Sequence, residues 1–111
     1  MAVYVSSIVI EQGFDFDTSF ELEDTRTSAA LDLTSATVES KLRKHYGSST
    51  ATTFTSSITN PDGGVVTISL SSTQTVDLKP GRYVYDVKVT SGGKIFKVVE
   101  GSAIVRPGVT R

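Results

Sequence analysis

Polar and apolar residues alternate along most of this 111-residue chain, and the alternation is clearest between positions 14 and 22. A period of two places one row of side chains in the core of a sheet and the other row in solvent. The segment therefore predicts a strand, and a slip of one residue would bury several carboxylates, which fixes its register. The apolar row comprises Phe14, Phe16, Phe20 and Leu22, and the polar row Asp15, Asp17, Ser19, Glu21 and Glu23.

Similar short segments recur between turn signals that are 8 to 12 residues apart, a spacing typical of a sandwich. The strongest signal is Asn60–Gly64, where proline and glycines favour a tight turn, and Gly92-Gly93 predicts a hairpin. We predict an all-β, immunoglobulin-like sandwich of about seven antiparallel strands. The predicted strands are Val3–Ile10, Phe14–Leu22, Thr37–Tyr46, Thr53–Thr59, Val65–Leu70, Tyr83–Thr90 and Lys94–Arg106.

The pattern also predicts local details. We expect the loop Glu23–Ser35 to place its leucines under the sheet, and a β-bulge near Glu100-Gly101. In the third strand, Val38, Leu42 and Tyr46 share one face. A short helical turn is predicted over Ser71–Leu78, capped by Ser71 or Ser72, with Val76 and Leu78 packed against the core.

One segment favours an immunoglobulin-like sandwich among the β folds. It places a turn before a strand that opens with tyrosine, as in the tyrosine corner of such domains. Tyr83 fits the corner residue, and Tyr85 stands where antibody domains place a cysteine. A barrel remains an alternative, because it uses similar strands. The predicted structural corner is Leu78, Pro80, Gly81, Tyr83 and Tyr85.

Composition narrows the classes of function. The 11 basic and 12 acidic residues give a net charge of −1, which argues against a nucleic-acid-binding surface. There is no cysteine, so neither a disulfide nor a thiolate metal site can form. The segment Met1–Gln12 lacks a basic start and is interpreted as a strand, not a signal peptide. No apolar run has membrane-spanning length, and we expect one domain, 1–111, with an extended tail at 107–111.

Several segments together resemble the N-terminal immunoglobulin-like domain of phage baseplate upper proteins, and small single-domain virion proteins of tailed phages. The resemblance implies a non-enzymatic virion subunit, made in the host cytoplasm and repeated in the particle, that contacts other virion proteins. Because the sequence stops just past its last strand, we expect a docking role in tail, baseplate or neck. Capsid decoration is an alternative. The segments are Gly13–Phe16, Leu31–Thr34 with Val38, Gly64–Leu70, Leu78–Val87, Gly101 and Val105–Pro107.

Charged residues supply the candidate contact surface. An acidic row and a basic patch could join copies head to tail, although an ordinary solvated surface is the alternative. The tail after the last strand is a further candidate. The surface comprises Asp15, Asp17 and Glu21, then Lys41, Arg43 and Lys44 (beside His45), then Arg106 and Pro107. The first strand, the loop Glu23–Ser35 and the turn Asn60–Gly64 are the other expected contact elements.

The residues predict no catalytic, cofactor or metal site. His45 is the one histidine and no nucleophile elbow is present, which makes a hydrolase remote. The acidic row, with Glu23, Asp24 and loop carboxylates such as Asp32 or Asp62, leaves a calcium site as a minor alternative. A carbohydrate- or receptor-binding module is the second alternative, for which Tyr4 and Tyr46 are the candidate exposed aromatics.

Overall fold

The computed structural model describes residues 4–22 and 33–110, and in them the chain is almost entirely β-structure. The described residues form nine strands. Two pairs of consecutive strands are each a single extended segment with one interruption, so the chain has seven extended segments in this part. The elements are β1 (Tyr4–Val5), β2 (Ile8–Glu11), β3 (Phe16–Glu21), β4 (Thr37–Arg43), β5 (Thr52–Thr53), β6 (Thr55–Asn60), β7 (Val65–Leu70), α1 (Ser72–Thr75), β8 (Gly81–Ser91) and β9 (Lys94–Arg106).

The strands form two sheets that enclose one apolar core. The larger sheet has the order β1-β9-β8-β4-β5, with β2 also paired to β9, and the smaller has the order β3-β7-β6. Counted as seven segments in chain order, the second, fourth and fifth (β3, β6 and β7) form the smaller sheet. The third, sixth and seventh (β4, β8 and β9) belong to the larger sheet, and immunoglobulin domains divide their strands in the same way. The predicted all-β sandwich is confirmed.

The first strand departs from the prediction. It was expected to pair antiparallel like the others, but β1 and β2 both run parallel to β9, with Tyr4 opposite Val99 and Ile8 opposite Ala103. Its inward row still follows the sequence pattern, since Ile8 and Ile10 are buried. The alternation of polar and apolar residues determines which face of a strand is buried, but it does not determine which strand lies beside it. The parallel pairing with β9 could therefore not be predicted from that pattern.

A close backbone contact holds the first strand against β9. The Ser6 amide donates to the Glu100 carbonyl at 2.9 Å. The Ser6 carbonyl accepts a hydrogen bond of 2.7 Å from the Tyr85 hydroxyl. A Cβ atom on Gly101 would lie 2.0 Å from the same carbonyl oxygen, so only glycine allows this approach. Gly101 therefore serves the docking of the first strand.

The predicted bulge lies elsewhere in β9. The register shifts where Val87 faces Val99 and Lys88 faces Lys97, which leaves Val98 as the extra residue. Both Val98 and Val99 are buried, and two consecutive inward side chains are incompatible with regular alternation. The prediction at Glu100-Gly101 was wrong because it relied on glycine as a bulge signal, whereas burying two adjacent valines requires the bulge.

The predicted strand Thr53–Thr59 is divided at Phe54. Its first part, β5, pairs with β4 in the larger sheet, while β6 pairs with β7 in the smaller one. The buried Phe54 ring lies at this crossing, with its centroid 6.1 Å from that of Phe16 and 6.3 Å from that of Tyr85. These aromatic contacts link the two sheets at a distance favourable for ring pairs.

Three apolar side chains lie on the surface, each at the end of an element: Phe14 and Val76 were predicted inside, whereas Tyr46 was grouped with Val38 and Leu42 but was also a candidate exposed aromatic. Phe14 is 46% exposed, Tyr46 76% and Val76 40%. Phe14 follows a turn at Gly13 and precedes β3, Tyr46 lies beyond the end of β4, and Val76 is the C-cap of α1. The periodic pattern was extended past the point where regular structure ends.

The remaining local predictions divide between those confirmed and one outside the described residues. Leu33 and Leu78 are buried as expected, whereas Leu31 lies outside the described residues. The hairpin turn is confirmed, with φ of 59° at Gly92 and 78° at Gly93, values that glycine adopts readily.

The Gly101 contact generates a prediction for stability. Gly101→Ala is expected to lower the free energy of unfolding by about 1–3 kcal/mol, because its methyl group overlaps the Ser6 carbonyl oxygen. Chemical denaturation would measure the loss, and amide hydrogen exchange should show the largest change in β1 and β2. Gly47→Ala is the control: its Cβ would make an ordinary 3.7 Å contact with His45. Equal losses for the two variants would contradict the proposed overlap.

Candidate functional site

The predicted corner lies at the start of β8. The Tyr83 hydroxyl donates to the Lys79 carbonyl at 2.8 Å, four residues upstream, as a tyrosine corner requires. Leu78 is buried beneath the corner and Pro80 is exposed. Gly81 adopts a φ of 148° there. These residues shape the backbone at the start of β8.

Tyr85, two residues further on, is a buried structural side chain. Only 4% of it is exposed, and its hydroxyl holds the Ser6 carbonyl. Burial raises the pKa of the Tyr85 hydroxyl above its ordinary value. Where an antibody domain has a disulfide sulfur, this chain has an aromatic ring whose hydroxyl holds the first strand.

The three predicted basic residues face different surroundings. Lys41 and Arg43 lie on the outer face of the larger sheet, where they oppose Asp86 and Val84. Arg43 donates to the Ser48 carbonyl at 2.9 Å, which orders the turn after β4. Lys44 instead places its ammonium 4.7 Å from the centre of the Tyr83 ring, a cation–π contact. The patch is therefore distributed between a sheet face and the corner.

Acidic partners compensate much of the positive charge on this outer face. Lys88 lies 3.1 Å from Glu39, and Lys97 lies 3.9 Å from Asp86 and 3.6 Å from Glu100. The hydrogen bond from Lys88, followed by the charges of Lys88 and Lys41, lowers the pKa of Glu39. The face is a lattice of alternating charges, which favours solubility.

An open cleft of about 280 Å³ lies on the same face beside Tyr46. Its rim combines an exposed aromatic ring with Lys41, Arg43 and Lys88, and Val84 lies in its wall. Of the two aromatics predicted to be exposed, Tyr46 is 76% exposed, whereas Tyr4 packs against the core. A ring next to cations is an arrangement that can hold a flat, anionic ligand.

The acidic row lies on the opposite side of the sandwich. Asp17 and Glu21 are exposed on β3, and the Asp15 carboxylate accepts a 2.7 Å hydrogen bond from the Ser72 amide at the start of α1. Glu23, Asp24 and Asp32 lie outside the described residues. Within residues 4–22 and 33–110, no group of three or more His, Asp or Glu side chains is placed to hold a metal ion.

Exposed apolar side chains lie where the first strand meets β9. Val5 is 80% exposed, Val9 51% and Ile104 37%, and Val9 is directly opposite Ile104. Glu11 and Arg106 pair at 3.4 Å at one end of this group, and Pro107 is exposed just beyond it. We call Val5, Val9 and Ile104 the aliphatic patch. Alternation places both valines outward once Ile8 and Ile10 are assigned to the core.

Two further features bear on the class of protein. His45 is exposed after the end of β4, as predicted. In the part of the chain that the structure describes, no helix is long and apolar enough to cross a bilayer.

Comparisons with known proteins find similarity in fold only. No family model matches the chain, and no curated protein matches it. Among solved structures, Listeria monocytogenes InlP is 18% identical over 91% of this chain, with a TM-score of 0.53. A family 123 glycoside hydrolase from Clostridium perfringens, studied for glycolipid glycan hydrolysis, is 13% identical over 100% of it, with a TM-score of 0.46.

This chain spans 26% of the InlP chain and 24% of the hydrolase chain. At such identities, the likeness to InlP shows a shared β-sandwich and nothing about activity. The hydrolase has too low a TM-score to support any argument. The chain is thus an all-β sandwich.

The two tyrosines generate a prediction for pH dependence. The unfolded chain loses the Tyr85 proton near pH 10, while burial keeps it bound in the folded chain at higher pH. Stability that is fully present below pH ~10 therefore declines as the pH rises toward the folded pKa. Denaturation of the wild type should show this decline, and Tyr85→Phe should lack this part of it.

Tyr83→Phe is the matched control. Either substitution removes one hydroxyl hydrogen bond, worth about 0.5–1.5 kcal/mol near pH 7. Tyr85→Phe should in addition reduce the alkaline decline of the wild type. The same decline in both variants and in the wild type would contradict the role of the buried hydroxyl.

Proposed function

We propose that this protein is a non-enzymatic structural component of a tailed-phage virion, an attachment subunit of the tail, baseplate or neck that acts through protein–protein contacts. The observation that carries the contact role is the aliphatic patch. Within it, Val9 and Ile104 are exposed directly opposite each other. Such branched side chains are costly to leave in water, and burying them against another protein recovers about 25 cal/mol for each Å².

The surroundings of the patch support a protein partner. Its two valines belong to the first strand, one of the contact elements expected from the sequence, and the Glu11–Arg106 pair borders it. An apolar centre with a charged rim is the usual anatomy of a protein–protein interface. The patch is small, so a stable assembly would depend on many copies acting together.

The phage assignment has a separate basis. It is supported by the order and spacing of the segments that resemble baseplate upper proteins, above all Leu78–Val87 with its tyrosine corner. The same features suit a capsid decoration protein, which is the nearest alternative within the proposal.

A carbohydrate- or receptor-binding module is the second candidate function, favoured by the cleft beside Tyr46. A glycan ring could stack on Tyr46 while Lys41 or Lys88 meets a carboxylate or sulfate group. The cleft is open, and its cations are partly engaged by Glu39 and Asp86. We rank this function below the structural one for that reason.

Particle composition tests the structural function. In gradient-purified particles of a phage that encodes this chain, quantitative mass spectrometry should find it in a fixed ratio to the major capsid protein. Val9→Glu is expected to reduce its incorporation about tenfold or more, because a carboxylate would be buried in the contact. The matched control is Ile95→Glu, at an exposed aliphatic residue near the β8–β9 hairpin, which should leave incorporation unchanged.

Absence of the chain from particles, with the protein remaining in the soluble lysate, would overturn the virion assignment. Equal incorporation of Val9→Glu and the wild type would overturn the role of the aliphatic patch.

Glycan binding tests the second candidate. If the protein binds sugars, an array of neutral and acidic glycans should identify a defined acidic glycan that binds it. Tyr46→Ala should weaken binding of that glycan about tenfold, because the stacking of the sugar on the Tyr46 ring is lost. Tyr4→Phe, at a ring packed on the core, is the control. Absence of any binder would remove this function from consideration.

A further inference from the structure

Within residues 4–22 and 33–110, no strand lies beside one side of β3. In the described residues β3 pairs only with β7, because the first strand has joined β9 in the other sheet. Constant-type immunoglobulin domains place their first strand at this edge. The register of β3 is regular over all six residues, from Phe16 opposite Leu70 to Glu21 opposite Val65.

One hydrogen bond shows which residues of β3 point their backbone groups toward β7 and which point them to the open side. The Leu22 amide donates to the Gly64 carbonyl at 2.8 Å, so Phe20, Thr18 and Phe16 direct their amides and carbonyls toward β7. Asp17, Ser19 and Glu21 then direct theirs away from the sheet. The edge presents three amides and three carbonyls in the pattern that an added strand requires.

The side chains at the edge of β3 restrict which strands can pair with it. Asp17, Ser19 and Glu21 are exposed on the outer face, and β3, β6 and β7 contain no lysine or arginine. The Ser19 hydroxyl pairs with that of Thr67 at 2.8 Å. A second copy added antiparallel about Ser19 would set Asp17 opposite Glu21, a repulsive cross-strand pair. A second copy added parallel would also place acidic residues beside each other. The edge of β3 therefore disfavours pairing with another copy of this chain.

The inward row adds a second requirement. Phe16 and Phe20 are half-buried against the core, so an added strand with apolar inward residues would cover the exposed parts of both rings. Its outward row would meet two carboxylates four residues apart.

We propose that β3 accepts an extended segment of another protein by strand addition, and that this segment alternates apolar residues with an outward row carrying Lys or Arg four residues apart. The inference goes beyond the virion role and does not depend on it, since it follows from backbone phase and charge. It names a surface distinct from the aliphatic patch, which lies on the other sheet.

A designed peptide is the probe. The capped nine-residue peptide TVKVTVKVT has the required pattern, and TVEVTVEVT is its acidic counterpart. The lysine peptide should bind the intact chain and slow exchange of the Asp17, Ser19 and Glu21 amides about tenfold or more, while the glutamate peptide should not bind. Binding should weaken as salt is raised. No binding, or equal binding of both peptides, would overturn the proposal.

Proline substitutions locate the site. Ser19→Pro removes an amide that faces the open side and leaves the backbone hydrogen bonds to β7 intact, although it also removes the Ser19–Thr67 hydroxyl contact. It should weaken binding of the lysine peptide about tenfold. Ser56→Pro is the control on β6: its amide faces away from β7 because Ser57 pairs with Thr67. An unchanged affinity in Ser19→Pro, or a loss confined to Ser56→Pro, would overturn the assignment to β3.

Charge reversal keeps the proposal testable if a proline variant fails to fold. The double variant Asp17→Lys with Glu21→Lys alters only exposed side chains and should exchange the preference, so that the glutamate peptide binds and the lysine peptide does not. Retention of the original preference would refute the charge complementarity.

Discussion

The docking of the first strand on β9 is the constraint on which the other surfaces depend. It is held where the Ser6 backbone meets Gly101 and the Tyr85 hydroxyl, at distances that a side chain on residue 101 would prevent. Tyr85 is itself fixed by its position two residues after the corner. The corner, the core and the first strand are therefore connected through one aromatic side chain, and no disulfide is needed for that connection.

This choice of neighbour determines what the two sheets expose. By lying beside β9, the first strand completes a broad outer face and places Val9 next to Ile104. By leaving the other sheet, it opens the side of β3. The aliphatic patch and the open edge are thus two consequences of one pairing, and each offers a different kind of contact: side-chain burial in the first case and backbone hydrogen bonding in the second.

Much of the fold could be predicted from the sequence because alternation and turn residues are local signals. The strand 14–22 was predicted to within two residues of β3, and the corner geometry at Tyr83 has the form expected from its motif. The parallel first strand could not be predicted, because its partner is some ninety residues away and the decisive contact involves a backbone carbonyl. The bulge at Val98 was missed because it is set by two adjacent buried valines.

The contact residues could be predicted only in part, for a related reason. Exposure of Asp17 and Glu21 follows from a period of two, and so does that of Val9. Which charges remain unpaired depends on neighbouring strands: Lys41 opposes Asp86 across the larger sheet, whereas Asp17 and Glu21 have no basic residue on their sheet. Among the described residues, this charge without a basic partner lies at the edge of β3 that faces away from β7. A bare edge invites indiscriminate pairing, and two carboxylates restrict it to strands of opposite charge.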